Sequence, residues 1–317
     1  MNEAAQRFFE NRCISTGMAL NPYVLSASEI IELVNDEVNR LAEAHIERLQ
    51  HEAVWSILHD MYKKCHEFAG GALATFLIAH IGSAEALCRT AIESAVNLHY
   101  ASCGDDVGNV LAYFRNYIAT ERGQNKTWLK SVENSNYLPE AKDQHRALIE
   151  DKERSLDVYE DALRKSLSII NIDYDNHPGS WPSIFERFSK IGKEVDYRTI
   201  YAALCSQAHN DPEDILNNLM SRIVEFDGYA ESVEIEKYVF SLNMVLTSIC
   251  FYVEASAMYL VKYGVPVSMT LVPLLKRAND LVVELQSSFK GHILGPLKFA
   301  PNTALQGTLR DKAAQRP

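Results

Sequence analysis

The sequence has no C-x-x-C pair, although it holds six cysteines: Cys13, Cys65, Cys88, Cys103, Cys205 and Cys250. Their scatter argues against a zinc site or a disulfide framework and fits a reduced, cytoplasmic setting. No G-x-x-x-x-G-K-[ST], G-x-G-x-x-G or G-x-S-x-G occurs, so NTPase loops, dinucleotide-binding turns and hydrolase elbows have no foothold. H-E-x-x-H and E-x-x-H are absent too, and with them the usual ligand spacing of helical metal sites. Basic charge is in short supply. Lys and Arg number 31 against 42 Asp and Glu, a net charge of −11, so a general positive field for nucleic acid or anionic lipid is lacking and any nucleic-acid contact must be local. The longest uncharged run, residues 238–253, falls short of the roughly 20 residues a membrane span needs and is expected to be a buried core helix, with no membrane partner. The first residues carry acids early and contain no apolar core, so no targeting segment is expected.

What is present is helical periodicity. Apolar residues recur at spacings of three and four through most long segments, which predicts an all-α fold, an antiparallel helical bundle with a long N-terminal helical arm. The expected organisation is an arm over residues 1–69, a bundle over 70–289 and a disordered tail over 290–317. Ser26-Ala-Ser-Glu29 offers a capping box for the arm, whose stripe runs through Ile30, Val34, Val38, Leu41, Trp55, Leu58 and Cys65 until Gly70-Gly71 interrupts it. His59, Lys63 and His66 read as a solvated face. An apolar helix is expected over 72–102, a short helix over 107–119, an exposed connection over 124–136, and a charged helix opening at Pro139. A small hairpin is suggested around 223–235, and a last helix over about 270–289.

Candidate chemistry lies in Tyr197-Arg-Thr-Ile-Tyr-Ala-Ala-Leu-Cys-Ser-Gln-Ala-His-Asn-Asp-Pro212. Arg198 and His209 are eleven residues apart, about 20° in projection on one α-helix, so one anion could touch both. Asp211-Pro212 ends that helix, leaving His209 at a junction where a side chain can reach a cleft. On the apolar helix, Glu85, Arg89 and Glu93 line one ridge. Two readings fit them: an ion-pair ladder within the helix, or a group that complements Arg198 and His209 from a facing helix, with Glu93 and Arg198 as natural partners.

The segments Arg89-Thr-Ala-Ile-Glu93, Trp181-Pro-Ser-Ile-Phe185 and Tyr197 to His209, with Ser206 three residues before the histidine, resemble the bacterial family catalogued as domain of unknown function 5677. Its helical pattern is in turn similar to the HEPN ribonuclease and nucleotide-binding superfamily, whose members serve toxin and antiphage systems. The arginine that HEPN ribonucleases carry shortly before the histidine is replaced here by Ala202, Ala203 and Leu204, which leaves Arg198 as its stand-in. The resemblance implies a metal-independent ribonuclease-like effector of a bacterial toxin or antiphage system. His209 and Arg198 would be catalytic, and Arg89, Glu93 and Ser206 would bind or orient, with no metal and no cofactor. It implies a homodimer, with RNA or nucleotide and a partner protein encoded nearby as further partners. The alternative is a non-catalytic helical module binding a nucleotide, a small anionic ligand or a partner protein. A third reading is a purely structural polar cluster.

Overall fold

Helices begin earlier in the chain than periodicity suggests. In this computed structural model, which describes residues 2–12, 14, 21–52, 54–104, 107–176, 179–207, 215–216, 219–220 and 229–288, Asn2 caps helix α1 (Glu3–Asn11) by accepting from the Ala5 amide. Phe8 and Phe9 are fully buried on its inner face. Helix α2 (Pro22–Ala44) starts four residues before the expected capping box, because Asn21 accepts from the Tyr23 amide and Pro22 occupies the first turn. The short α3 (Ile46–Leu49) follows.

Helix α4 (Trp55–Leu77) runs straight through Gly70-Gly71, so the break expected there is not where the chain turns. It turns at Ala79, whose φ of 61° is left-handed, and α5 (Ile81–Ser102) begins beyond it. The segment read as one helix over 72–102 is therefore the end of α4 and the whole of α5. Further on come the short α8 (Ile184–Lys190), α9 (Glu194–Asp196), a π-helical turn (Tyr197–Tyr201) and α10 (Ala202–Gln207). The last described helices are α11 (Tyr229–Lys262) and α12 (Leu271–Ser288); the tail expected over 290–317 lies outside the described residues. Val233 and Ile235, expected in a hairpin, lie in α11; the facing residues 221–228 lie outside the described part. Among the described residues there is no strand.

Residues 1–100 and 184–317 make one compact unit. In it α2 packs on α1, α4, α11 and α12, and α11 packs on α4 and α12. The apolar stripe of the expected arm is thus internal: Ile30, Ile31, Val34 and Val38 are fully buried. Helix α11 is long and apolar enough to cross a membrane by length and composition, and 83% of its most apolar window is buried inside the unit. Between α4 and α11 runs a ladder of rings, Trp55 stacked on His59 and Tyr259 and Tyr62 on Tyr252 and Tyr259. His59 and His66 turn inward to it. Nδ1 of His59 lies 2.9 Å from the Tyr259 hydroxyl and Nδ1 of His66 lies 3.2 Å from that of Tyr252, which corrects the solvated-face reading for both; Lys63 alone of the three is exposed.

Residues 101–183 form the second unit. Helix α6 (Gly108–Glu133) continues through the stretch expected to be an exposed connection, and α7 (Pro139–Ile169) starts at the expected proline. The two are antiparallel, as the ion pairs show: Arg146 reaches Glu133 near the turn, while Lys152 meets Glu121 and Arg122 meets Asp157 and Glu160 farther along.

Candidate functional site

Helix α5 sets two polar side chains, Arg89 and Glu93, one turn apart, and the π-helical turn brings Tyr201 to them. The turn is seated by rings: Phe188 of α8 touches Tyr197, Tyr201 and Phe251 at 5.5, 5.4 and 5.9 Å between centroids. It is also tied by charge, since Lys193 Nζ lies 2.8 Å from Glu254 of α11. Tyr201 is consequently buried, and its hydroxyl donates to Glu93 Oε2 at 2.6 Å. Burial first, and the Glu93 carboxylate next, push the phenol's pKa up. It is held as a proton donor.

Arg89 lies with its guanidinium 5.6 Å from the centroid of the Tyr201 ring. Its Nε is buried and has no hydrogen-bond partner among the described residues. Desolvation works against its charge, but the phenol of Tyr201 and the thiol of Cys205 beside it raise its pKa overall. The neighbours that act on it are thus a phenol and a thiol, and no carboxylate ion pair forms with it among the described residues. Among the described residues no ion pair joins Glu85, Arg89 and Glu93, as the ladder considered for α5 would require. Glu85 instead accepts from the Ser241 hydroxyl of α11 and is 6% exposed, and Glu93 is held by Tyr201.

Arg198 stands apart from this group. Its side chain is 65% exposed, it lies 3.8 Å from Glu194 one turn back on its own helix, and its guanidinium covers the Phe185 ring at 4.9 Å. The pairing expected between Arg198 and Glu93 is therefore replaced by one within the helix on one side and by a phenol on the other. The π turn also undoes the argument that put Arg198 and His209 on one face, because the 100° step of an α-helix does not hold across it. His209 lies outside the described residues, as does the side chain of Ser206, whose backbone is in α10.

Tyr201 is the site residue that sequence reasoning passed over. Its signal was the spacing of four between Tyr197 and Tyr201, whose rings stack at 5.6 Å, in a segment already singled out for its cations. Among the described residues no group of three or more His, Cys, Asp or Glu is placed to hold a metal ion. Chemically, the arrangement offers a cation whose partners are uncharged, a protonated phenol and a carboxylate, within two turns of α5.

Neither the curated proteins nor the solved structures include a significant match to this chain. A family model described as "Family of unknown function (DUF5677)" matches residues 56–227, a span that contains Arg89, Glu93, Arg198, Tyr201, Ser206 and His209. It covers more than half of the sequence, and the chain belongs to that family of unknown function.

Proposed function

We propose that this chain is a helical module that binds a nucleotide at Arg89, Glu93 and Tyr201. The observation that supports this most is Arg89, a partly buried guanidinium that, among the described residues, has an unpartnered Nε and no carboxylate paired to it. Burying a cation without a counter-ion is costly, and a phosphate supplies one with matching bidentate geometry. Glu93 disfavours a bare anion but accepts from the hydroxyl or amino donors that a nucleotide carries next to its phosphate. The test is fluorescence polarisation with labelled nucleotides. Arg89→Gln is expected to weaken binding at least tenfold with an unchanged circular dichroism spectrum, and equal binding by the variant refutes the assignment.

A metal-independent ribonuclease is the second reading, favoured by the protonated Tyr201 phenol beside a cation. In that reading the phenol protonates the leaving oxygen, Arg89 stabilises phosphorane charge and His209 takes the 2′-hydroxyl proton. Arg198 and Ser206 then act from the same helix on the flanking chain. RNA cleavage in the presence of chelator, abolished by His209→Ala and by Tyr201→Phe, is its expected signature; binding without cleavage leaves the module non-catalytic. Service in a toxin or antiphage system beside a partner protein belongs to this proposal through the HEPN resemblance.

A further inference from the structure

A second polar recess is lined by the end of α1, by α2 and by the His66–Ala74 stretch of α4, and Gly71, one of two adjacent glycines in mid-helix, forms part of its wall. Arg12 follows α1, and its guanidinium is fixed from three sides. Nη1 donates to Glu32 Oε1 at 3.0 Å and to the Phe8 carbonyl at 3.3 Å, the Phe8 ring lies 4.0 Å beneath, and the bare Cα of Gly70 closes the third side. A Cβ at Gly70 would come within 2.4 Å of Nη2. Gly71 beside it lines a cavity of about 460 Å³, together with Arg12, Glu32, Asn35, His66 and Glu67. That volume is within the roughly 300–1,000 Å³ usual for small-ligand sites.

The polar groups around the cavity are ordered but not exhausted. Glu32 is 5% exposed and gives one carboxylate oxygen to Arg12, which leaves the other oxygen as an acceptor. Asn35 accepts from the Tyr62 hydroxyl at 2.9 Å through Oδ1, which leaves its amide NH2 as a donor. His66 turns Nδ1 to Tyr252 and keeps Nε2. Burial, then the Arg12 charge, lower its pKa to about 4, so near pH 7 it is neutral. The walls therefore carry two carboxylates, each with its own cation: Glu32 is paired with Arg12 at 3.0 Å and Glu67 with Lys64 at 2.7 Å. The charges offset, so neither a lone anion nor a lone cation is favoured, whereas a ligand that bears both charges finds the second Glu32 oxygen for its ammonium and the N–H groups of Arg12 for its carboxylate.

We infer that this recess is a binding site for a small zwitterion of the α-amino acid class, with the ligand's ammonium toward Glu32 and its carboxylate toward Arg12 and Asn35. Arg12, Glu32 and Asn35 precede the segment matched by the family model, whereas His66 and Gly71 lie within it. The site thus joins elements outside the family match to α4, and it is independent of the Arg89 group.

The test uses the full chain, with thermal shift and titration calorimetry against the twenty α-amino acids, n-propylamine, acetate and inorganic phosphate. Ala74→Leu places bulk on the cavity wall while both members of the Arg12–Glu32 pair are kept, and Gly71→Ala adds one methyl that meets only Leu87 at 3.9 Å. At least one amino acid is expected to bind saturably, at least tenfold more tightly than propylamine or acetate. Ala74→Leu should weaken that binding at least tenfold while the unliganded melting temperature holds within a few degrees, and Gly71→Ala should weaken it less. Binding of no amino acid, binding of phosphate alone, or amino-acid binding unchanged in Ala74→Leu overturns the assignment.

Discussion

Tyr201 and His66 show how single side chains carry this account. The Tyr201 hydroxyl satisfies a partly buried carboxylate at 2.6 Å, so Tyr201→Phe leaves Glu93 short of a donor and should cost about 1–3 kcal/mol, read from the denaturation midpoint. Arg89→Gln breaks no ion pair among the described residues and should cost less than Tyr201→Phe; the reverse order would mean that Arg89 has a structural counter-ion. His66 gives a pH dependence. Its folded pKa of about 4 lies below the ordinary value near 6.5, so between the two the unfolded chain binds the proton that the folded chain refuses. Stability from this residue is therefore complete above about pH 6.5 and lost as pH falls toward 4, by up to about 3 kcal/mol. The half-buried His59, also lowered by desolvation, adds in the same direction. Melting temperatures measured from pH 7 to 4 should fall less steeply in His66→Gln than in the parent; parallel curves would contradict the assignment. Arg89 and Glu93 were legible in the sequence because charges in an apolar helix stand out. Their true neighbour was not, since a tyrosine among apolar residues looks like core, and the π turn that aims it has no pattern of its own.

At the scale of elements, what could be read was periodicity and stop signals. Pro139 opens α7 and the leucines of α12 mark its face, and both are local properties. Gly70-Gly71 misled for the opposite reason: the guanidinium that needs Gly70 comes from Arg12, 58 positions away, and no window along the chain contains both. The actual break, at Ala79, sits at a residue that strongly favours helices, so tertiary contacts override propensity there. This makes the two adjacent glycines respond oppositely to one methyl group. Gly71→Ala should stabilise by about 0.5–1 kcal/mol, the ordinary gain of alanine over glycine in a helix. Gly70→Ala drives a Cβ into Arg12 and should destabilise, because displacing the guanidinium leaves Glu32 buried without its partner. Urea denaturation of both variants checks the pair; stabilisation by both would mean that Arg12 moves aside freely.

For the molecule as a whole, the N-terminal helices are part of a core and not an appendage. The fully buried face of α2 packs on α4, α11 and α12, which removes the exposed apolar arm as a ground for expecting a homodimer. A fragment beginning at residue 70 would split α4 and bare Tyr62's neighbours Tyr252 and Tyr259. It should lack the cooperative thermal transition of the full chain, and a fragment that melts cooperatively would contradict the shared core. The central claim is that Arg89 has no carboxylate partner among the described residues because its counter-ion is a nucleotide phosphate. It is tested most directly by titrating the full chain with labelled nucleotides at two salt concentrations, beside Arg89→Gln. The account predicts saturable binding that weakens as salt rises and drops at least tenfold in the variant. Saturable binding of equal strength by both proteins, or none by the parent, would contradict it.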